Sequence, residues 1–249
     1  MELSDFFSAH PAVAVAFSGG VDSAYLLHAA IACGAKVCAY FVKSAFQPQF
    51  ELDDARKLAA QLHAELKIIE ADVLSVPAVA ANAQDRCYHC KKIIFSVITN
   101  AAHADGYRTL IDGTNASDDA GDRPGMRALR EMQVYSPLRE CGLVKDEIRR
   151  RAKEAGLFTW NKPAYACLAT RIATGEALTQ EKLAKTEAAE DFLASLGFFD
   201  FRVRMCGTVA KIQLPCAQFE KCMEHRLEIV RALRRDYTQV LLDLEARNE

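Results

Sequence analysis

No apolar run in this chain approaches the ~18–20 residues of a membrane-crossing helix, so helical spans are not expected. The first twenty residues, MELSDFFSAHPAVAVAFSGG, lack the basic start and the cleavage site of a secretory leader and carry Glu2 and Asp5 instead. The expected compartment is therefore the cytoplasm. A dominant charge sign is missing too. The formal net charge is −2, so nothing global draws the chain to nucleic acid or to an anionic membrane. Internal repeats and low-complexity tracts are absent. No Gly-Lys-Ser/Thr closes a Walker A loop, and no G-x-G-x-x-G fingerprint of a dinucleotide site occurs.

What is present describes a soluble globular protein. Of 249 residues, 51% are hydrophobic and 26% charged, enough for one large domain or two modest ones. Nine cysteines in a reducing compartment are not expected to form structural disulfides. Cys33 and Cys38 flank a helix-to-strand turn and are read as buried small hydrophobes. Cys206, Cys216 and Cys222 fall in apolar-patterned segments and are read as packing. Cys87, Cys90, Cys141 and Cys167 remain to be explained.

The first half alternates strand and helix. AVAVAF (12–17) is a buried-strand run, followed by a helix through AYLLHAAIAC, a strand over 36–42, a helix over 51–64 and a strand over 65–71. A helix over 91–106, a strand over 108–114, a short fifth strand over 133–138 and an amphipathic helix over 145–157, stopped by Gly156, complete it. The alternation predicts an α/β fold with a doubly wound parallel sheet over residues 1–157. The pattern then changes. A helix over 179–197, two antiparallel strands (FRVRMCG and VAKIQLP) turning at Gly207, one helix over 217–237 and a closing strand QVLLDL predict a smaller α+β domain over 179–249, for substrate binding or oligomerisation. Residues 158–178 form a long connection bearing Cys167, and such loops are uncommon unless they carry function.

The strongest local signal is the exit of the first strand, Ser18-Gly19-Gly20-Val21-Asp22-Ser23. Ligands of doubly wound sheets sit at the carboxyl ends of the strands. Two glycines let the backbone approach a charged group, and the following helix offers free N–H groups and its positive dipole end, which suit phosphate. Ser18 and Ser23 add hydroxyls. Asp22 repels phosphate unless a cation intervenes, which points to Mg²⁺. The competing reading is a plain strand–helix turn capped by serine. On the same sheet edge, LIDGTNASDDAGDRPGMRALRE (110–131) supplies Asp112, Asn115, Asp118, Asp119 and Asp122, with Arg123 and Arg127 beside them. Asp119 is the candidate second magnesium ligand.

The segment DRCYHCKK (85–92) holds Cys87 and Cys90. With Cys167 they give three thiols. A structural zinc site needs four ligands, and His89 or Cys141 would have to complete it. A redox dithiol would sit at a helix start. A [4Fe–4S] cluster on three thiolates leaves one iron open. The residues themselves leave these alternatives standing. Arg86, Lys91, Lys92 and Lys162 would help neutralise thiolate charge. His89 is expected to face away from any metal, Cys141 to pack in a turn, and Trp160 to anchor core.

SGGVDS resembles the pyrophosphate-binding loop of the PP-loop superfamily of ATP pyrophosphatases, whose fold is adenine nucleotide alpha hydrolase-like. Taken with DG-T-N-x-x-D-D-x-x-D-x-R-P-G, with K-P-A-x-x-C-L-A-x-R inside WNKPAYACLATRI (160–172), and with DRCYHCKK, the chain resembles the LarE family of ATP-dependent sulfur transferases along nearly its whole length. The resemblance implies ATP and Mg²⁺ over Ser18, Gly19, Gly20, Asp22 and Ser23, aided by Arg123, with Ser18, Asp22 and Cys167 as the catalytic set. It implies adenylation of a substrate carboxylate, release of pyrophosphate and formation of a thiocarboxylate. The implied acceptor is the pyridinium mononucleotide of nickel-pincer cofactor synthesis or a related nucleotide carboxylate, its phosphate clamped by Arg202 and Arg204 with Glu190 near.

Two sulfur chemistries exist in that family. One sacrifices a protein cysteine, which ends as dehydroalanine. The other holds a [4Fe–4S] cluster on three cysteines, and Cys87, Cys90 and Cys167 match it, with sulfide on the open iron as the implied donor. Gln213 stands where sulfur-sacrificing relatives carry an acidic residue, so that role is not carried over. The first motif alone also suits a PP-loop amide synthetase, a tRNA thiolase or a non-catalytic nucleotide or metal sensor. The expected partners are a small-molecule carboxylate, a sulfide donor or sulfur carrier, and a second copy of the chain in a homo-oligomer, with no membrane or nucleic acid.

Overall fold

The alternation of apolar and small residues in the first half builds a four-stranded parallel sheet of order β3-β2-β1-β4. The computed structural model describes residues 1–118 and 124–247. Asp119, Asp122 and Arg123, expected at the site, lie outside the described residues. In chain order the elements are α1 (Leu3–Ala9), β1 (Ala12–Ala16), α2 (Val21–Ala32), β2 (Lys36–Lys43), α3 (Gln49–Gln61), β3 (Glu65–Glu70), α4 (Pro77–Ala80), α5 (Arg86–Ala104) and β4 (Thr109–Asp112). They continue with α6 (Pro124–Glu131), α7 (Pro137–Glu140), α8 (Lys145–Glu154), α9 (Gln180–Ser195), β5 (Arg202–Cys206), β6 (Val209–Gln213), α10 (Phe219–Glu224), α11 (Arg226–Leu233) and β7 (Gln239–Leu242).

Successive side chains of a strand point to opposite faces, and both faces of this sheet are covered. Val13, Val15, Ala39, Phe41 and Ile111 pack with Leu26, Leu27, Leu58 and Ile148 on one side. Ala14, Cys38, Tyr40, Val42 and Leu110 pack with Phe95, Ile98 and Leu129 on the other. That is the expected doubly wound arrangement. The strand order reverses between β1 and β4, so the loops leaving these two strands flank the topological switch point where such sheets bind ligands.

The chain divides into two units: Met1–Val73 with Asp85–Tyr165, and Leu74–Gln84 with Ala166–Glu249. The contiguous partition at 157 and 178 does not describe this, because an eleven-residue excursion joins the second unit. Asn82 holds the excursion there. Buried and at φ +54°, it donates through Nδ2 to the carbonyls of Ala173 (2.8 Å) and Glu176 (3.1 Å), while its own carbonyl accepts from Gly175 N (2.8 Å). Leu178 N donates to Ala80 O in the same way (2.8 Å). The rest of the second unit is the expected helix and hairpin. β5 and β6 pair antiparallel around Gly207, β7 joins β6 in parallel, and Thr179 caps α9 by accepting from Lys182 N (3.2 Å).

Four sequence expectations change. The short strand over 133–138 is reduced to an isolated bridge between Ile111 and Tyr135, since Pro137 has no N–H to continue a ladder and opens α7 instead. The single helix over 217–237 breaks at His225, whose ring pairs with Glu228 (3.2 Å). Helix α5 starts at Arg86 rather than 91, so the cysteine pair lies in its first turn. Cys33, Cys206 and Cys216 are exposed, because each sits where an element ends or a turn begins; Cys38 and Cys222 are buried as expected.

The 158–178 stretch folds as two 3₁₀ turns, Phe158–Asn161 and Leu168–Arg171. Arg171 in the second is buried with Glu190 of α9, their side chains 1% and 6% exposed and 2.7 Å apart. Removing one partner of such a pair leaves an uncompensated buried charge, which costs more than the pair contributes. Arg171→Met should therefore lower the unfolding free energy by about 3–5 kcal/mol in urea melts, whereas Arg150→Met on the exposed face of α8 should leave the urea midpoint nearly unchanged.

Candidate functional site

The loop after β1 turns sharply because Gly19 adopts φ +74°, and a Cβ there would meet Glu51 O at 3.2 Å and Ala55 N at 3.3 Å. Gly20 then serves as N-cap of α2 without a capping side chain, which leaves the first-turn N–H groups for a ligand. The two serines brace the loop. Ser23 Oγ donates to Gly20 O (3.1 Å) and accepts from Ser18 N (3.3 Å), and the two hydroxyls lie 3.1 Å apart. Ser18 is exposed at the rim of the loop, whereas Ser23 is buried and holds the turn.

The loop after β4 faces it. Asp112, Gly113, Thr114 and Asp118 join Ser18, Asp22, Ser23 and Lys91 around a cleft of about 320 Å³, walled by Phe41, Val42, Ile94, Phe95 and Ile98. Asp112 is 7% exposed. It accepts from Thr114 Oγ1 (2.6 Å) and Ser136 Oγ (2.7 Å). Burial pushes its carboxyl above the usual range, against the opposing pull of those hydrogen bonds and of Lys91. Asp118 closes its own turn, accepting from Asn115 N (2.9 Å).

Asp22 is split between two environments. Oδ2 accepts from Lys145 Nζ at 2.5 Å, across 123 residues of sequence. Oδ1 is buried and has no hydrogen-bond partner among the described residues. A buried, unpartnered carboxylate oxygen beside a phosphate-type loop fits a divalent cation, and Mg²⁺ commonly takes one or two carboxylates with the remainder from phosphate and water. Asp22 would hold it. Asp119, the second expected ligand, lies outside the described residues. Within neither unit do three His, Cys, Asp or Glu side chains form a metal-holding group among the described residues.

The thiols divide between the units. Cys87, exposed, and Cys90, buried, are three residues apart on one face of the first turn of α5. Arg86 Nη2 donates to Cys87 Sγ (3.4 Å). Two thiols on one helical turn beside a guanidinium suit a ligand pair for zinc or for a cluster. Cys167, partly exposed, opens the 3₁₀ turn of the second unit. His89 pairs with Asp85 through Nε2 (3.1 Å). Lys92 and Lys162 are engaged by Glu131 and Asp54, and do not neutralise thiolate. Cys141 and Trp160 pack against the core, as expected.

In the second unit, Arg202 and Arg204 share a face of β5. Arg202 is buried, its Nη1 on Phe201 O (2.6 Å). Desolvation, then the nearby Arg171 and Arg247, pull it down to about 10. Arg204 donates to Gln213 Oε1 (2.5 Å) and Thr170 O (2.7 Å). Gln213 passes on to Asp243 through Nε2 (2.8 Å), so a neutral amide bridges a guanidinium and a carboxylate. Glu190 accepts from Arg171 and from Val203 N (2.9 Å).

Gly113, Lys91 and Lys145 owe their places at or beside the cleft to the fold. Gly113 stood in plain view after the fourth strand, but only the fold shows why it is glycine: a Cβ would lie 2.8 Å from Ser23 N and 3.1 Å from Ser23 Cα. Lys145 reads as an ordinary helix-start lysine, and Lys91, expected to neutralise thiolate charge, lines the cleft.

The family described as Queuosine biosynthesis protein QueC matches residues 12–90, the stretch that includes the loop after β1. The "Uncharacterized protein slr1717" of Synechocystis sp. is 34% identical over 98% of this chain and 92% of its own length. The "Pyridinium-3,5-bisthiocarboxylic acid mononucleotide synthase" of Lactiplantibacillus plantarum is 36% identical over 83% of this chain and 75% of its own length. The "Uncharacterized protein MJ0830" of Methanocaldococcus jannaschii is 30% identical over 94% of this chain and 89% of its own length.

Two outcomes check this geometry. Gly113→Ala should lower stability by about 1–3 kcal/mol and weaken binding of an ATP analogue in calorimetry, since the added methyl must displace the main chain of Ser23. Asp112→Asn tests the buried carboxyl. A raised folded-state pKa means that the wild type loses stability as pH climbs above the ordinary carboxylate value of ~3.9. The Asn variant should then melt higher than wild type near neutrality, with the gap closing below about pH 4.

Proposed function

Given that this chain belongs to the LarE family of ATP-dependent sulfur transferases, we propose that it adenylates the carboxylate of a nucleotide-type small molecule and converts it to a thiocarboxylate in the cytoplasm. The observation that carries the reading is Asp22 Oδ1, buried without a partner among the described residues in a cleft that also presents Ser18, Lys91 and the open amide groups of α2. The acceptor we favour is a pyridinium carboxylate mononucleotide, the chemistry named for the Lactiplantibacillus plantarum relative.

In this reading the β1 loop and the first turn of α2 bind the triphosphate, with Asp22 holding Mg²⁺. Lys91 supplies positive charge on the opposite wall. The acceptor carboxylate attacks the α-phosphorus, pyrophosphate leaves, and fixed amide and ammonium groups stabilise the charge that spreads in the transition state. The apolar wall of Phe95, Ile94 and Ile98 excludes water that would hydrolyse the acyl adenylate. Arg202 and Arg204 would clamp the acceptor's phosphate. Cys87, Cys90 and Cys167 would hold a [4Fe–4S] cluster, which supplies sulfide as the nucleophile when bound. AMP departs with one oxygen of the original carboxylate.

The alternative within the same family is transfer of sulfur from a protein cysteine, for which Cys167, partly exposed at the head of a turn, is the candidate. Anaerobic purification separates the two. The cluster reading expects iron and acid-labile sulfide in the wild type and their loss in Cys167→Ala, with ATP- and substrate-dependent pyrophosphate release retained. Asp22→Ala should abolish that release. No iron after reconstitution, together with a loss of ~34 Da at one cysteine after turnover, would replace the cluster by sacrificial chemistry.

A further inference from the structure

Lys145 is a feature that neither the loop motif nor the cysteines account for. It is the first residue of α8, and its main chain is tied to the β4 loop: its N–H donates to Ser117 Oγ (2.9 Å), and Ala116 N donates to Leu143 O (2.8 Å) nearby. The side chain leaves this fixed base and places its ammonium 2.5 Å from Asp22 Oδ2. The ion pair is only partly exposed, at 31% and 22% for the two side chains. Asp22 Oδ1 on the same carboxylate is buried and has no partner among the described residues. One carboxylate therefore offers one oxygen already neutralised by a fixed cation and one oxygen free to take a metal.

We propose that Lys145 is a resident counter-cation that keeps bare divalent metal off Asp22 and admits it only together with nucleotide phosphates. The inference rests on the reading of the β1 loop as a Mg²⁺–ATP site. Its physical basis is charge accounting at short range. A dication on Oδ1 would lie across a single carboxylate from the Lys145 ammonium, whose charge already offsets that carboxylate. Asp112 and Asp118 line the same cleft, each with its carboxylate oxygens taken up by neutral donors, Thr114 and Ser136 for the first and the Asn115 amide for the second. Lys91 adds a further positive charge to the cleft. Metal alone thus meets, on Asp22, a carboxylate whose charge the adjacent ammonium already offsets, and it gains less there than from a bare carboxylate. A triphosphate reverses the balance, because its oxygens supply negative charge to both the metal and Lys145. The consequence is an order of events: metal enters as the nucleotide complex, and the cleft is not occupied by free Mg²⁺ between turnovers. Lys145 is a positioning residue in this scheme.

The test uses Mn²⁺ as the probe, titrated into the full-length protein and followed by electron paramagnetic resonance, without and with a non-hydrolysable ATP analogue. Without nucleotide, Lys145→Met should bind Mn²⁺ at least about 10-fold tighter than wild type, and Lys145→Arg should behave as wild type. Adding Asp22→Asn to Lys145→Met should abolish the gain, which assigns the bound ion to this carboxylate. With the analogue present, the difference between wild type and Lys145→Met should shrink to within about 3-fold. Equal Mn²⁺ affinity of wild type and a folded Lys145→Met variant, verified by circular dichroism, would overturn the proposal, as would a difference that persists undiminished with the analogue. If the analogue binds neither protein, the nucleotide reading of the loop fails, and the nucleotide-free titration still decides the role of Lys145.

Discussion

A side chain at position 113 would push its Cβ to 2.8 Å from the Ser23 amide nitrogen, so the end of β4 and the first turn of α2 can close on one another only over a glycine. This contact joins the two strand exits at the switch point. It brings Asp112 and Thr114 to the rim opposite Ser18 and Ser23, and it makes the cleft a crevice lined by two loops. It also explains why Asp112 is so deeply buried. A carboxyl held there by neighbouring main chain must take its solvation from Thr114 and Ser136, and those hydroxyls only partly offset the loss of water. The ion pair from α8 to Asp22 completes the arrangement from a third direction.

Much of this was legible beforehand, for definite reasons. Parallel strands buried on both faces leave near-continuous apolar runs, and AVAVAF and KVCAYFV displayed them, so the sheet and its winding followed. Ser18-Gly19-Gly20-Val21-Asp22-Ser23 was legible because phosphate loops need small residues at fixed offsets within one short segment. Lys145 was not legible, because the pair it forms spans 123 residues and lysine at a helix start is ordinary. The division of the chain was not legible either. The excursion over 74–84 is held by hydrogen bonds of one asparagine to carbonyls some 90 residues away, and periodicity carries no trace of such a contact. The start of α5 at Arg86 carries little sequence signal because Cys-Tyr-His-Cys has weak helix propensity, which tertiary packing overrides.

The charges of the second unit form a connected set. Arg171 and Glu190 are paired and buried, Arg202 and Arg247 share Asp200, and Arg204 reaches Asp243 through Gln213. An amide at 213 donates to one partner and accepts from the other, which a carboxylate could not do. The neutral residue is therefore suited to its two neighbours in this chain, independently of the sulfur chemistry that the family supports. The strain of like charges in this set falls on Arg202, whose guanidinium is desolvated beside Arg171 and Arg247.

Asn82 carries a consequence on the timescale of protein ageing. Its amide nitrogen is enclosed by the carbonyl oxygens of Ile172, Ala173 and Glu176, the nearest at 2.8 Å. Spontaneous deamidation would replace that donor by a carboxylate oxygen facing three acceptors, turning the anchor of the 74–84 excursion into a repulsive contact. Burial and the fixed left-handed backbone oppose the succinimide chemistry that deamidation requires, so the folded chain guards the residue on which this part of its topology hangs. An unfolded or locally opened chain has no such guard. For this protein, chemical shelf life and conformational integrity are coupled through a single side-chain amide.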